Sequence, residues 1–212
     1  MKRTGGRLPV LLVLLCAAGC AARAPVTSPP EPQRPAGLRA LTKGRIELGD
    51  GSHRFEAALA LRRPDRLRVE VSGAVGGTRA VLALNGEDVI VLLPAERSYV
   101  TGPATSDMLE SLIGLPLDGA GLVRLLEAVD DAVDAGAAGV PGLALTREDG
   151  RLVATPEPGS QGRFQRLELR VRELQRLDPA ALPDSVFTPS VPAGWRRLDP
   201  AGAPHEGPLL LP

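Results

Sequence analysis

The strict alternation of apolar and charged residues after His53 constrains the fold of this chain more than any other feature. A turn at Pro64 and Asp65 divides the alternating stretch into two segments. The apolar positions are Phe55, Ala57, Leu59 and Leu61 before the turn, and Leu67, Val69 and Val71 after it. A period of two with charges on one face is typical of a sheet that has one wet face. The segment therefore predicts two antiparallel strands.

Further strands are predicted on both sides of this hairpin. Residues 43–48 form a first strand that ends at the Gly49–Gly51 turn. Residues 79–84 and 88–93 flank Asn85-Gly86, a strong hairpin signal, and both segments are apolar on each face. We therefore expect that a second layer covers them or that they line a cavity. The last third returns to strands, at residues 143–146, 151–155 and 164–171, the first two joined through Asp149-Gly150.

The covering layer is predicted to be helical, which makes the fold class α+β. Residues 106–113 read as a short helix with Thr105 or Ser106 as its N-cap and Gly114 at its end. A second helix opens after Pro116 and Asp118. Its apolar stripe is Leu122, Val123, Leu125 and Leu126. The stretch 130–142, rich in Ala and Gly, is predicted to fray or to form a mobile loop.

The N-terminus has the pattern of an export signal. Three basic residues precede an apolar run at 8–15, which is too short to span a membrane, and Ala17-Ala18-Gly19-Cys20 follows. This ending resembles a bacterial lipobox, so we expect residues 1–19 to be a signal peptide and Cys20 to carry a covalent lipid. The alternative is ordinary cleavage with Cys20 as a spare residue. Cys16 and Cys20 are the only cysteines, which excludes disulfides and cysteine metal sites in the folded domain.

The remaining organisation follows from proline content and charge. Residues 20–37 are predicted to be the lipidated cysteine and a proline-rich stalk, 38–199 one domain, and 200–212 a disordered tail. Loss of the signal removes three of 25 basic residues and none of 25 acidic ones, so a nucleic-acid partner is not expected. Aromatic residues make up only 2 %, so Leu, Val and Ala must build the interior.

No enzymatic activity and no metal site are predicted. The two histidines, His53 and His205, stand far apart in the sequence, and no nucleophile, zinc or phosphate-loop motif occurs. The acidic residues of the 130–142 stretch lack calcium-loop spacing, and we expect them to form a solvated acidic face. The arginines around the first hairpin are likewise predicted to form a solvated sheet face, with contact to anionic head groups as the alternative. These two sets are Asp130, Asp131 and Asp134, and Arg62, Arg63, Arg66 and Arg68.

The order of elements resembles the LolA/LolB lipoprotein-carrier fold. The resemblance rests on FEAALALRRPDRLRVEVSGAVGG, LPAERSYVTG, the helix pair around LIGLPL, and PDSVFTPSVPAGW, and it covers residues 38–199. It implies an incomplete antiparallel β-barrel, a strongly curved sheet, whose helical lid encloses an apolar cavity. It also implies a monomer anchored at the outer membrane, facing the periplasm, that binds membrane lipid, the acyl chains of lipoproteins or a periplasmic carrier. In LolB an exposed leucine on a loop after the third strand is needed for insertion, and Ala74 and Val75 stand at the matching turn.

The apolar faces also suggest which residues line the cavity, with a plain packed core as the alternative. The candidates are Phe55, Leu59, Val69, Val81, Val89, Val91, Met108, Leu112, Leu126 and Leu169. Two functions remain open at this stage. One is lipid or acyl-chain binding, with possible acceptance of lipoproteins for insertion. The other is a scaffold or assembly lipoprotein that binds a protein partner. Neither needs a cofactor beyond the covalent lipid at Cys20. Ala21 after Cys20 favours outer-membrane sorting.

Overall fold

The computed structural model describes residues 36–73, 77–160 and 162–199. Within these ranges ten strands form a single sheet. Their order across the sheet is β10-β6-β5-β4-β3-β2-β1-β9-β8-β7. The strands are β1 (Gly37–Leu48), β2 (Gly51–Arg62), β3 (Arg66–Ser72), β4 (Thr78–Asn85), β5 (Asp88–Leu93), β6 (Ser98–Pro103), β7 (Leu143–Glu148), β8 (Arg151–Pro156), β9 (Phe164–Leu177) and β10 (Arg196–Arg197).

The sheet is antiparallel except at one edge. Strands β1 to β6 form a meander, and β9, β8 and β7 extend the sheet beyond β1. The short β10 runs parallel to β6. The outermost strands, β10 and β7, are not paired with each other. The predicted α+β class is therefore confirmed, with one large open sheet that does not close into a barrel.

The predicted hairpins are present, with small shifts in their boundaries. Asp149 and Gly150 both adopt positive φ, as a two-residue hairpin turn of this twist requires. The turn between β4 and β5 is Gly86-Glu87, one residue later than predicted, because Asn85 still pairs with Asp88. Strand β1 begins six residues earlier than predicted, and β9 continues six residues further, where the two strands pair with each other.

Two helices connect β6 to β7 and pack on one face of the sheet, which we call the inner face. Helix α1 spans Ser106–Ile113, and the Thr105 side chain caps it by accepting from the Met108 amide at 3.4 Å. Helix α2 spans Gly119–Glu127, and Asp118 accepts from the Gly121 amide at 2.7 Å. Both predicted helices are confirmed, and the predicted apolar stripe of α2 is buried. Among the described residues no helix is long and apolar enough to cross a membrane.

The opposite, outer face is crossed by residues 178–199, which we call the C-terminal strap. Near its start, Arg62 donates from Nη1 to the Leu182 carbonyl at 2.8 Å, and its guanidinium also binds Asp184. Arg68 donates to the Val186 carbonyl at 3.1 Å. At its end, β10 pairs with β6. The strap therefore reaches from β2 and β3 to the β6 edge of the sheet.

The strap corrects the prediction that the arginines around the first hairpin form a solvated face. Arg62 and Arg66 both pair with Asp184 of the strap, and Arg62 lies 5.3 Å from the centre of the Phe187 ring. Arg63 instead pairs with Glu127 of α2, with Nε to Oε1 at 2.9 Å. Charges that alternate with apolar residues look the same in sequence whether water or a distant segment covers them.

The structure also corrects the prediction that the stretch after α2 frays or forms a mobile loop, because two arginines hold its start in place. Arg176 of β9 binds both carboxylate oxygens of Asp130, at 2.9 and 2.6 Å, and the Asp130 side chain is only 3 % exposed. Arg147 of β7 donates to the Ala128 and Asp130 carbonyls at 2.6 and 2.7 Å. Asp130 is thus a buried ion-pair partner rather than part of a solvated acidic face. Asp131 and Asp134 remain exposed.

Phe187→Ala should destabilise the protein by about 3–5 kcal/mol, because it removes a fully buried aromatic ring and its contact with Arg62. Urea denaturation followed by circular dichroism measures the free energy of unfolding. Val191→Ala, at an exposed position of the same strap, is the control and should change it little. Equal effects of the two variants would contradict the role of the strap as a packed layer.

Asp130→Asn should lower the free energy of unfolding by about 1–3 kcal/mol near neutral pH. The hydrogen bonds from Arg176 hold the pKa of the Asp130 carboxyl below its ordinary value. The contribution of the Asp130 carboxylate to the free energy of unfolding is therefore complete above its unfolded-state pKa, about 3.9. This contribution is lost as pH falls through the lower folded-state pKa.

The variant should consequently lose stability less steeply than the native chain in this acidic range. Denaturant unfolding at a series of pH values measures the difference. Asp131→Asn is the control, because this carboxylate also contacts Arg176 but is 83 % exposed. If the stability of Asp130→Asn fell with pH as steeply as that of the native chain, the ion pair between Asp130 and Arg176 would not be the source of this pH dependence.

Candidate functional site

An apolar pocket lies between the inner face of the sheet and the helix pair. Its walls come from β1, β2, β3, β4 and β9, and α1 and α2 supply the cover. The cavity volume is about 80 Å³, which is smaller than that of typical small-molecule sites, so only a slender group fits. The lining residues are Thr42, Ile46, Phe55, Ala57, Leu59, Val69, Val71, Leu82, Ile113, Leu115, Leu122, Leu125, Leu126, Leu167 and Leu169.

The lining follows directly from the alternation in the strands. Every second residue of β2 and β3 points to the inner face, so Leu59 and Val69, which are cross-strand partners, stand side by side. The charged residues between them point to the outer face. Helix α2 presents the apolar stripe predicted from its sequence. Strand period and helix period therefore converge on one aliphatic surface.

Thr42 is the single polar side chain of the lining, and the proton of its hydroxyl is used within the sheet. Its hydroxyl donates to the Ala57 carbonyl at 3.2 Å, and the residue is buried. The pocket has no charged side chain. A ligand that enters it can gain only from burial of its own apolar surface, so the pocket suits hydrocarbon and excludes polar groups.

Phe55 is the only aromatic residue of the lining, and its position depends on Gly44. The two residues are paired across β1 and β2. A side-chain Cβ placed on Gly44 would lie only 2.1 Å from the tip of the Phe55 ring, so the ring rests directly on the glycine backbone. Phe55 remains partly exposed. The missing side chain at position 44 thus lets a large ring lie flat against the pocket wall.

The structure brings together half of the candidate residues named from the sequence. Phe55, Leu59, Val69, Leu126 and Leu169 line the pocket. Four others are packed in the core beside it, and they correspond to the alternative of a plain core. These four are Val89, Val91, Met108 and Leu112.

The prediction for Val81 is wrong, because this residue lies on the outer face. It is the register partner of Glu70 and of Leu92, on the opposite side of β4 from the lining residue Leu82. Alternation could not assign its face, because β4 is apolar at every position from Ala80 to Leu84.

Other predicted site residues fall outside the described ranges. These are Cys20, the proposed site of lipidation, and Ala74 and Val75 of the loop between β3 and β4. Sequence reasoning missed the contribution of the helix connection, where Ile113 and Leu115 line the pocket. Both residues lie in the sequence LIGLPL, which is one of the segments that carry the resemblance to the LolA/LolB fold. Within the described part of the chain, no group of three or more His, Cys, Asp or Glu is placed to hold a metal ion.

Comparison with known proteins gives a partial match to one family. A model of the family described as "Predicted periplasmic protein (DUF2092)" matches residues 52–116, which run from β2 into the connection between α1 and α2. This description agrees with the predicted export signal and supports a periplasmic location. No curated protein matches the chain.

Among solved structures, the chain is similar to an uncharacterized conserved protein from Thermus thermophilus. The sequences are 13 % identical, and the match covers 77 % of this chain and 90 % of that one, with a TM-score of 0.40.

Gly44→Val should destabilise the protein by about 1–3 kcal/mol, because the new side chain must displace the Phe55 ring. Urea denaturation gives the loss, and the combined variant Gly44→Val with Phe55→Ala should lose less than the sum of the two single changes. Gly49→Ala is the control, because a Cβ there would have its nearest neighbour at 3.9 Å. Strict additivity of the two changes would contradict the contact.

Proposed function

We propose that the protein is a lipid-anchored protein of the bacterial cell envelope whose inner pocket binds acyl chains of membrane lipids or lipoproteins. The observation that carries this proposal is the lining of the pocket, which offers aliphatic surface, one ring and no unused polar side chain. Such a surface is complementary to a hydrocarbon chain and to little else. The proposed anchor is the lipid at Cys20, on the periplasmic side of the outer membrane.

The chemistry of the pocket lining sets the affinity that we expect. Burial of a methylene group yields about 0.8 kcal/mol, so a chain that buries ten of them gains at most about 8 kcal/mol. Immobilising a flexible chain offsets part of this gain, which leaves a dissociation constant in the micromolar range or weaker. Binding of this strength allows a carrier to release its cargo, as acceptance and onward insertion of lipoproteins would require.

The test is displacement of a fluorescent fatty-acid probe from the whole chain that begins at residue 20 and carries Cys20→Ser. Phospholipid and a synthetic lipopeptide serve as competitors. We expect saturable binding and competition by both. Val69→Phe should weaken binding at least about tenfold, because a ring at this half-buried lining position fills the pocket.

Ile90→Phe supplies the matched control, because Ile90 is equally half-buried but points to the outer face next to Thr101. Its probe affinity should equal that of the native chain. Circular dichroism of both variants confirms that they are folded. Failure of the native chain to bind any acyl probe would reject the carrier function and favour the scaffold alternative, in which the fold binds a protein partner.

A further inference from the structure

A basic groove crosses the outer face of the sheet. Its walls come from β1, β2, β8 and β9. Five of its seven lining residues are cationic, and one is a carboxylate. The lining consists of Lys43, Gly44, Arg45, Arg54, Arg151, Glu168 and Arg170. This groove lies behind the apolar pocket, on the opposite face of the same strands.

The strand register places like charges directly opposite one another in this groove. Arg45 is the partner of Arg54 across β1 and β2. Arg170 is the partner of Lys43 on one side and of Arg151 on the other. Like charges at directly opposed positions destabilise a sheet. Repulsion between these like charges therefore lowers the stability of the folded chain, and packing alone does not explain why they are placed together.

Nearby carboxylates neutralise this cluster only in part. Lys43 pairs with Glu56 at 2.5 Å, Arg45 with Glu47 at 3.0 Å, and Arg151 with Glu168 at 3.0 Å. No residue in the described part of the chain forms an ion pair or a side-chain hydrogen bond with Arg54 or Arg170. Both arginines are exposed. Two guanidinium groups of the groove are thus available to an external anion.

We propose that this basic groove is a contact surface for the phosphate head groups of an anionic lipid layer. Arginine presents its donors in a fork that matches phosphate oxygens, and several basic residues on one face attract an anionic surface. The groove lacks the buried aromatic or aliphatic anchors that a protein partner needs, and it has no aromatic platform for nucleic-acid bases. Its open, shallow form suits a flat surface of head groups.

The test is co-sedimentation of the chain from residue 20 with Cys20→Ser, which removes the proposed lipid. Vesicles are made of phosphatidylcholine alone or of phosphatidylcholine mixed with phosphatidylglycerol. We expect binding to the mixed vesicles only, and weaker binding as salt is added. The double variant Arg54→Gln with Arg170→Gln should bind at least about tenfold more weakly, since each basic residue near an anionic surface contributes about fivefold.

The matched control is Arg39→Gln with Arg196→Gln, which removes the same charge from exposed arginines outside the groove. It should retain most of the vesicle binding. Equal losses in the two double variants, or no binding of the native chain to mixed vesicles, would overturn the proposal. Displacement by soluble poly-glutamate or inorganic phosphate as effectively as by anionic vesicles would also overturn the lipid assignment, in favour of an acidic protein or a free ion.

A stability measurement separates this role from a structural one. Arg54→Gln relieves the repulsion with Arg45 and should raise the midpoint of thermal unfolding by about 1–3 °C while it weakens vesicle binding. A lower midpoint would show that Arg54 stabilises the fold and would contradict the proposal. The fatty-acid affinity of the groove variants should be unchanged, so failure of this proposal is distinguishable from failure of the pocket.

Discussion

The structure depends on one constraint, which is that β4 and β5 are apolar on both faces and need a cover on each side. Two helices of eight and nine residues cover the inner face. They are about 12 and 14 Å long, whereas ten strands extend over about 43 Å. Helices this short cannot fill the whole inner face with side chains. The apolar pocket lies between these helices and the sheet, so it is a consequence of how the inner face is covered.

The outer face has two parts, one covered by the C-terminal strap and one left open as the basic groove. Beneath the C-terminal strap, the arginines of β2 and β3 are held by Asp184 and by backbone carbonyls, and the outward Val81 and Leu92 of the neighbouring strands are buried. On β1, β2, β8 and β9, basic residues line an open groove, in which Arg54 and Arg170 form no ion pair with any other described residue. The same residue type thus fastens the fold in one half and is available for contact in the other.

The sequence predicted local structure well and long-range cover poorly. Turn residues such as Asp149-Gly150 and caps such as Asp118 act on their immediate neighbours, so their effects can be read from short windows. The face assignment of Val81 required knowing which side of β4 the helices occupy, and an unbroken apolar run does not contain that information. Burial of Asp130 depends on Arg176, which is 46 residues away, and only the fold brings the two together.

The most direct test of acyl-chain binding is a native mass spectrum of the full-length protein isolated from the envelope of its own cells. We expect a gently ionised species that is heavier than the covalent mass of the chain by one lipid or acylated peptide, which denaturing solvent releases. A species with only its covalent mass, unchanged after incubation with phospholipid and lipopeptide, would contradict the account. The fold would then serve a function that does not use the pocket.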